Sequence, residues 1–425
     1  MATADGRGAL GFCTMTTSGL PFGTRVGFVV ETARRLHQYG TAAPRLEMAV
    51  ASVGERLGLR VEVWSSPTAI ILSASEQSHA TRLAEVTQVM RLPPGDTNLA
   101  KLCKVDSIAD RVIAGDLDID AGFRQLELLS QPISRQQEGV IVLAFGIAAA
   151  MVATLLRGGW AEVQAAGLIG LVIGQLTISS SHHPRLAPAS DAISALLATL
   201  IAGAVSSAVT PLAVKTVVVS ALIVLMPGLA LTNAVRELST QHLASGSARM
   251  AGALATLLKL TFGALAGAQI MALLGWHGNV TTMHAVPNWV QAPALLLGAA
   301  AFAVLFQAAI RDWPLVMLAA ITGYLSTRLG TGLYGPSFGV FVGGLVVGAL
   351  SNLYARYRRR PGALVREPGI ILLVPGSVGF SSVSALLDRN VHIGMNAGLL
   401  LISLLISLVA GLLFGDLLIG PRRSL

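Results

Sequence analysis

Two Pro-Gly pairs, Pro227-Gly228 and Pro375-Gly376, interrupt otherwise apolar stretches, and small hydroxyl or amide side chains follow each. Thr232 and Asn233 come after the first; Ser377, Ser381, Ser382 and Ser384 come after the second. Proline removes one helix amide and frees a carbonyl of the preceding turn, while glycine lets the backbone open. Inside hydrocarbon those groups need partners, so such a break is a place where polar chemistry can be built. An amino-acid zwitterion suits it. The amino end of a half-helix favours a carboxylate, and freed carbonyls with hydroxyls favour an ammonium and a side-chain hydroxyl. The competing reading is a packing kink whose hydroxyls merely satisfy backbone, and a matched pair of breaks weakens that reading without removing it.

Ionisable residues within apolar stretches are the second clue, because a charge in hydrocarbon is costly and turns toward a bundle interior. Lys259 lies ten residues past Arg249, about 15 Å along a helix. Asp191 and Asp388 sit at stretch ends, where capping or snorkelling competes with proton or charge coupling, and Asp416 reads as interfacial. His182-His183 is poor metal chemistry, since adjacent residues point apart on a helix, and a solvated loop is expected. No phosphate-cradling P-loop occurs, so direct ATP drive has no support. Ser73, Ser75, His79 and Asp96 offer a nucleophile, a base and an orienter in one segment. No GxSxG elbow or HExxH run accompanies them, so a membrane-anchored hydrolase is a minor alternative, as is a ligand sensor. Cys13 and Cys103 match neither disulfide nor metal spacing and read as reduced thiols. No cofactor, metal or catalytic residue is expected.

The elements that must hold these residues follow from composition. With 53% hydrophobic and 12% charged residues and a mean hydropathy of +0.68, the chain needs lipid. Residues 1–138 hold 14 of the 30 Lys/Arg and 15 of the 22 Asp/Glu, so the net +8 belongs to the remainder. No basic stripe with interleaved aromatics marks the front part, which argues against nucleic acid. Residues 1–23 are Gly/Thr-rich without the apolar core of a signal peptide, so the front unit is expected in the cytoplasm.

Residues 24–138 read as a small α+β domain of order ααβββαα with a polar linker over 132–138. Thr24 is the expected cap of a helix closed by Gly40, and Pro44 starts a second helix that stops at Gly58. Three short strands follow, then a helix capped by Asp96 and ended by Gly115, and another opened by Asp118 or Asp120.

Ten stretches approach the roughly 20 apolar residues of a spanning helix: 139–156, 162–180, 191–209, 216–234, 250–275, 289–309, 314–330, 336–354, 368–387 and 393–418. With the front domain inside, eleven basic residues face the cytoplasm, densest in YARYRRRPGALVR, against Arg157, Lys215, Arg328 and Arg389 outside. That asymmetry predicts a multi-pass inner-membrane protein with both termini cytoplasmic. Trp160, Trp276, Trp289 and Trp313 fall at stretch ends, as an aromatic belt would place them. The stretches divide into two sets of five, 139–275 and 289–421. Trp160 and Trp313 close the first stretch of each set and the Pro-Gly pairs interrupt the fourth. Five being odd, the second set enters from the opposite side: an inverted repeat, with the breaks marking a binding site near the midplane. GVFVGGLVVG is expected to serve close helix packing.

LHQYGTAAPRLEMAV, SSPTAIILSASEQSHATRL, LPPGDTNLAKLCKVDSIADRVIAGDLD and the two Pro-Gly stretches, in this order, resemble the threonine/serine exporter family over nearly the whole chain. The resemblance implies a cytoplasmic domain joined to ten spans and efflux of threonine and serine driven by the proton motive force. Split relatives imply dicarboxylate export as an alternative. No residue roles transfer from the family. Arg45 and Glu47, in the RLE segment, are expected to couple the front domain to transport. Expected partners are the amino-acid substrate, protons and the bilayer; the sequence leaves a homo-oligomer open.

Overall fold

The computed structural model describes residues 20–77, 85–276, 285–373, 375–387 and 390–421. Its front unit begins with α1 (Phe22–Gln38), whose Val26, Val29, Val30, Ala33 and Leu36 are buried at helical spacing. Pro21, not Thr24, occupies the cap position, and no side chain caps the helix. Gly40 then takes φ +79°, a left-handed turn that favours glycine. α2 (Ala43–Arg56) carries Pro44 in its first turn. β1 (Leu59–Ser66), β2 (Ala69–Glu76) and β3 (Val86–Arg91) form an antiparallel meander, with Trp64 opposite Ile71 and Ile71 opposite Val89. The two-residue period splits the sheet: Ile70, Leu72 and Ala74 are buried, while Trp64 and Val89 stay exposed on the other face.

α3 (Leu99–Ala114) starts at Asn98, whose Oδ1 accepts from the Lys101 amide at 2.9 Å, so the expected Asp96 cap is displaced by two residues. Gly115 ends it at φ +80°, and Asp118 caps α4 (Ile119–Leu128). The expected linker is partly helical, because Ser134 and Gln137 make a capping box that starts α5 (Arg135–Leu155).

The remaining helices are α6 (Trp160–His182), α7 (Ser190–Ala208), α8 (Val214–Ala221), α9 (Gly228–Ser239), α10 (Leu243–Leu273), α11 (Gln291–Leu305), α12 (Trp313–Tyr334), α13 (Pro336–Arg358), α14 (Ala363–Ile371), α15 (Gly376–Leu387) and α16 (Val391–Leu418). Among the described residues seven helices are long and apolar enough to cross a membrane, and the α14–α15 pair, bent by 41°, makes up to eight. Two of the ten expected stretches are helical but fall outside this set. One is split into α8 and α9, of 8 and 12 residues; the other, α12, carries Arg328 within a polar-rich GYLSTRLGTG run.

Corresponding helices pack in corresponding ways. α7 lies along α10 and α13 along α16; α9 packs on α10 and α15 on α16; α6 meets α8 and α12 meets α14; α10 touches α15 as α16 touches α9. The closest approaches need glycine: a Cβ at Gly263 would collide with the Ala192 carbonyl of α7, and one at Gly411 with the Phe341 carbonyl of α13. Two of the four glycines of α13's GVFVGGLVVG run, Gly344 and Gly348, seat against Leu408 and Leu412 of α16, as expected for close packing.

The front unit is seated on the membrane helices. One buried apolar cluster runs from Leu46, Leu72 and Leu99 to Met151, Phe302, Phe306 and Leu364. At the seam, the free amides of Leu99 and Ala100 that open α3 donate to the carbonyls just past the end of α11, Phe306 and Gln307, at 3.0 and 3.2 Å. Donor-rich and acceptor-rich helix ends thereby satisfy each other with favourable dipole alignment.

Candidate functional site

Both breaks use one local design: proline precedes the second half-helix and glycine is its first residue. Pro227 has φ −79° and ψ 44°, and the Gly228 amide donates back to the Met226 carbonyl at 2.8 Å, a tight turn about the proline. Each second half-helix is hydrogen-bonded from its proline onward, since Leu231 N donates to Pro227 O at 2.9 Å and Gly379 N to Pro375 O at 3.0 Å. The two breaks touch. A Cβ at Gly376 would stand 3.1 Å from Met226 Cβ and 3.4 Å from Gly228 Cα, so the amino ends of α9 and α15 meet across the bundle.

Beside this meeting point α7, α8, α10, α15 and α16 enclose a cavity of about 720 Å³. Its walls are mostly apolar, and Lys215, Ser381, Ser384 and Asn390 supply polar groups. Of the residues expected to line a pathway, only Ser381 reaches this cavity; it lies five residues, about 7.5 Å, along α15 from Gly376. Pro227, Gly228, Pro375 and Gly376 form the packed crossing instead. Thr232 is fully buried and its Oγ1 donates to the Gly228 carbonyl at 3.2 Å, so this hydroxyl satisfies backbone. Asn233 and Ser377 are half-buried outside the cavity lining. Ser382 is buried and bonds the Gly394 carbonyl at 2.8 Å, tying α15 to α16.

Lys259 and Asp191 are brought together: Nζ lies 2.5 Å from Oδ2, joining mid-α10 to the first turn of α7. One turn on from Asp191, the Ser194 hydroxyl is buried without a partner. Asp388 lies outside the described residues. Arg45 and Glu47 lie at the seam. Glu47 accepts from the Ser65 amide at 2.8 Å and reaches His242 Nε2 at 3.2 Å, between α9 and α10. Burial first, and then the neighbouring Arg366 guanidinium, hold Arg45 below the usual arginine range. Glu237, which sequence reasoning passed over, is fully buried and serves four donors: the Ala43 amide at the start of α2, Ser245 Oγ and two nitrogens of Arg249.

Among the described residues Ser73, Ser75 and Asp96 are not brought together. Ser73 Oγ pairs with Thr87 Oγ1 at 3.0 Å, Ser75 is buried, Asp96 is exposed on a loop, and His79 lies outside the described residues. Among the described residues no three metal-ligating side chains cluster. His182 instead contacts Glu138 at 2.8 Å. Burial pushes the Cys103 thiol up to about 11, which makes it unreactive; Cys13 lies outside the described residues.

Comparison with known proteins places this arrangement. Residues 27–271 match the family model described as "Putative threonine/serine exporter", and residues 291–418 match "Threonine/Serine exporter, ThrE". The chain belongs to the threonine/serine exporter family. Relatives of this family member include pheromone-regulated membrane protein 10 of Pichia sorbitophila, 27% identical over 86% of this chain and 37% of the relative. The protein of that name from Saccharomyces cerevisiae strain YJM789 is 25% identical over 93% of this chain and 54% of the relative; that of strain S288c is 26% identical over 80% and 95%. The chain thus spans roughly a third to a half of the length of the first two. No solved structure matches it.

A charge network lies at the end of the two breaks nearest the front unit. Arg236 lies nine residues after Pro227 and Arg366 nine before Pro375, and both reach Asp416 of α16, at 3.5 and 2.7 Å. Asn352 Nδ2 of α13 donates to the same carboxylate at 2.7 Å. Asp416, expected to be merely interfacial, therefore joins α9, α13, α14 and α16. Its only sequence signal was the mirrored spacing of the two arginines. Asp416→Ala leaves two largely buried guanidiniums without their shared anion, and a stability loss on the order of 3 kcal/mol is expected. Thermal unfolding in detergent checks this; an unchanged midpoint would contradict the network.

Proposed function

We propose that this chain exports threonine and serine, driven by the proton motive force, through ten spans arranged as two inverted five-helix repeats. The observation that carries the reading is the contact between the amino ends of α9 and α15 beside a cavity with Lys215, Ser381, Ser384 and Asn390. Hydroxyls and an amide on a mostly apolar cavity wall suit a small polar amino acid. The repeat is supported by the matched packing and by spacing. Gly411 and Gly415 follow Gly263 and Gly267 by 148 residues, the separation of Pro375 from Pro227. The two family models also part within the 272–290 interval, where the second repeat begins.

The proposed topology is supported by loop contacts. Segments assigned inside touch one another or the front unit: Phe306 with Leu99, Glu237 with Ala43, and Asp312 with Arg360 at 2.6 and 2.8 Å. Segments assigned outside do likewise, Arg157 with Asn288 at 2.5 Å and Gly158 with Val286 at 3.1 Å. Placed in an inner membrane, both termini are cytoplasmic, with domains 24–138, 139–275 and 289–421. A cysteine introduced in the 277–288 loop should be labelled from outside, and one beside Arg358 only after permeabilisation. The reversed pattern would sink the topology.

Lys215 in the cavity favours one second reading, a dicarboxylate substrate whose additional carboxylate it would meet. Counterflow in proteoliposomes with labelled threonine, serine and succinate separates the two. Exchange of the amino acids is the expected result, and exchange of succinate alone would replace the first reading by the second.

A further inference from the structure

Away from the proposed pathway, α12, α13 and α14 enclose a groove of about 490 Å³. Leu315, Leu318, Leu350 and Leu353 form its floor, and Tyr357 and Arg358 stand at one end. Leu318 is 62% and Tyr357 86% exposed, so the groove opens outward from the helix bundle. Leu350 to Arg358 is eight residues, about 12 Å of helix, so an apolar trough about as long as the upper part of an acyl chain ends at a cation.

The cations at that end are not all accounted for by the fold. Arg356 is held by the Gly420 carbonyl at 3.0 Å and Arg360 by Asp312. Among the described residues Arg358 and Arg359 carry no ion pair. Arg359 closes α13 at φ +52° and ψ +41°, a left-handed cap that glycine adopts without strain and arginine does not. An exposed arginine lining the end of an apolar trough, followed in sequence by a second exposed arginine in a strained conformation, matches the chemistry of a phosphate headgroup above acyl chains.

We propose that this groove binds an anionic phospholipid of the leaflet next to the front unit, its chain along the leucines and its phosphate on Arg358 and Arg359. The bound lipid stands beside the Arg360–Asp312 bridge, which fastens the 359–362 turn to the segment that receives α3. The groove is thus positioned to steady the seat of the front unit.

The test is native mass spectrometry of the full chain released from mixed micelles of phosphatidylglycerol and phosphatidylcholine, with and without inorganic phosphate. The wild-type chain should retain phosphatidylglycerol in preference. Arg358→Ala with Arg359→Ala should reduce that preference about thirtyfold, as two cations at an anionic surface contribute. The corresponding Arg→Lys pair should keep it, which guards against a folding artefact. Leu318→Trp, which fills the trough, should lower retention of both lipids. Undiminished preference in the double-alanine chain would overturn the proposal. So would displacement of the lipid by inorganic phosphate, which would mark a soluble-anion site.

Discussion

Gly376→Leu is expected to abolish threonine and serine efflux in a chain that still inserts. The first added carbon already stands 3.1 Å from Met226 Cβ and 3.4 Å from Gly228 Cα, and leucine adds three more behind it. Overpacking of this kind costs about 1–3 kcal/mol. A chain anchored by many packed helices can tolerate that, but the amino ends of α9 and α15 must part. A site built on their joint approach then loses its geometry, and roughly a hundredfold loss of transport corresponds to the upper end of that range. Ser381→Ala provides the contrast. It removes one hydrogen-bonding group at the cavity wall, worth about 1 kcal/mol net, so affinity should fall only roughly fivefold to tenfold. Initial efflux rates from proteoliposomes, with insertion checked by protease protection, distinguish these. Normal rates in correctly inserted Gly376→Leu would reduce both breaks to packing kinks.

Lys259→Met should uncouple efflux from the proton gradient or stop it. The ammonium lies 2.5 Å from Asp191 Oδ2, and the two side chains keep 38% and 21% of their surface open. A pair that accessible in water would contribute little to stability. Within an apolar stretch, removing the cation instead leaves the Asp191 carboxylate without its counter-charge. Asp191→Asn should therefore produce the same loss, at least tenfold in gradient-driven efflux. The combination Asp191→Asn with Lys259→Met decides between coupling and architecture. Removing both charges relieves any unpaired burial, so a structural pair recovers transport and a coupling pair does not. Recovery in the double variant would contradict the coupling role.

The elements at the centre of this account were legible because their causes are local. Pro227 and Pro375 are each followed by glycine, a pairing that opens the backbone without any distant contact, whereas Pro368 stays inside α14, and Gly344 and Gly348 announce close packing by spacing alone. The caps were less legible. Asp96 and Asn98 are equivalent candidates by chemistry, and Asn98 wins because α11 delivers two carbonyls to the Leu99 and Ala100 amides, a contact 207 residues away in sequence. Lys215 read as one more outside charge, yet the packing of α8 against α5, α6 and α7 leaves it at the cavity wall. Asp416 and Glu237 are similar: each collects donors from several helices, and no window of the sequence contains them. α12 shows the limit from the other side, since its stretch is helical while its polar run keeps it outside the clearly spanning set.

The central claim is that threonine and serine occupy the space beside the crossing of α9 and α15. Its most direct test is protection of a single thiol, Ser381→Cys, in a chain whose Cys13 and Cys103 are serine. Reaction with a small membrane-impermeant maleimide should slow progressively as threonine or serine is raised, and should be unaffected by a small amine that lacks the substrate's carboxylate, such as ethanolamine. In the same background, Gly376→Leu should remove the protection. Labelling at a constant rate across all threonine and serine concentrations, in a chain that still exchanges them, would place the site elsewhere.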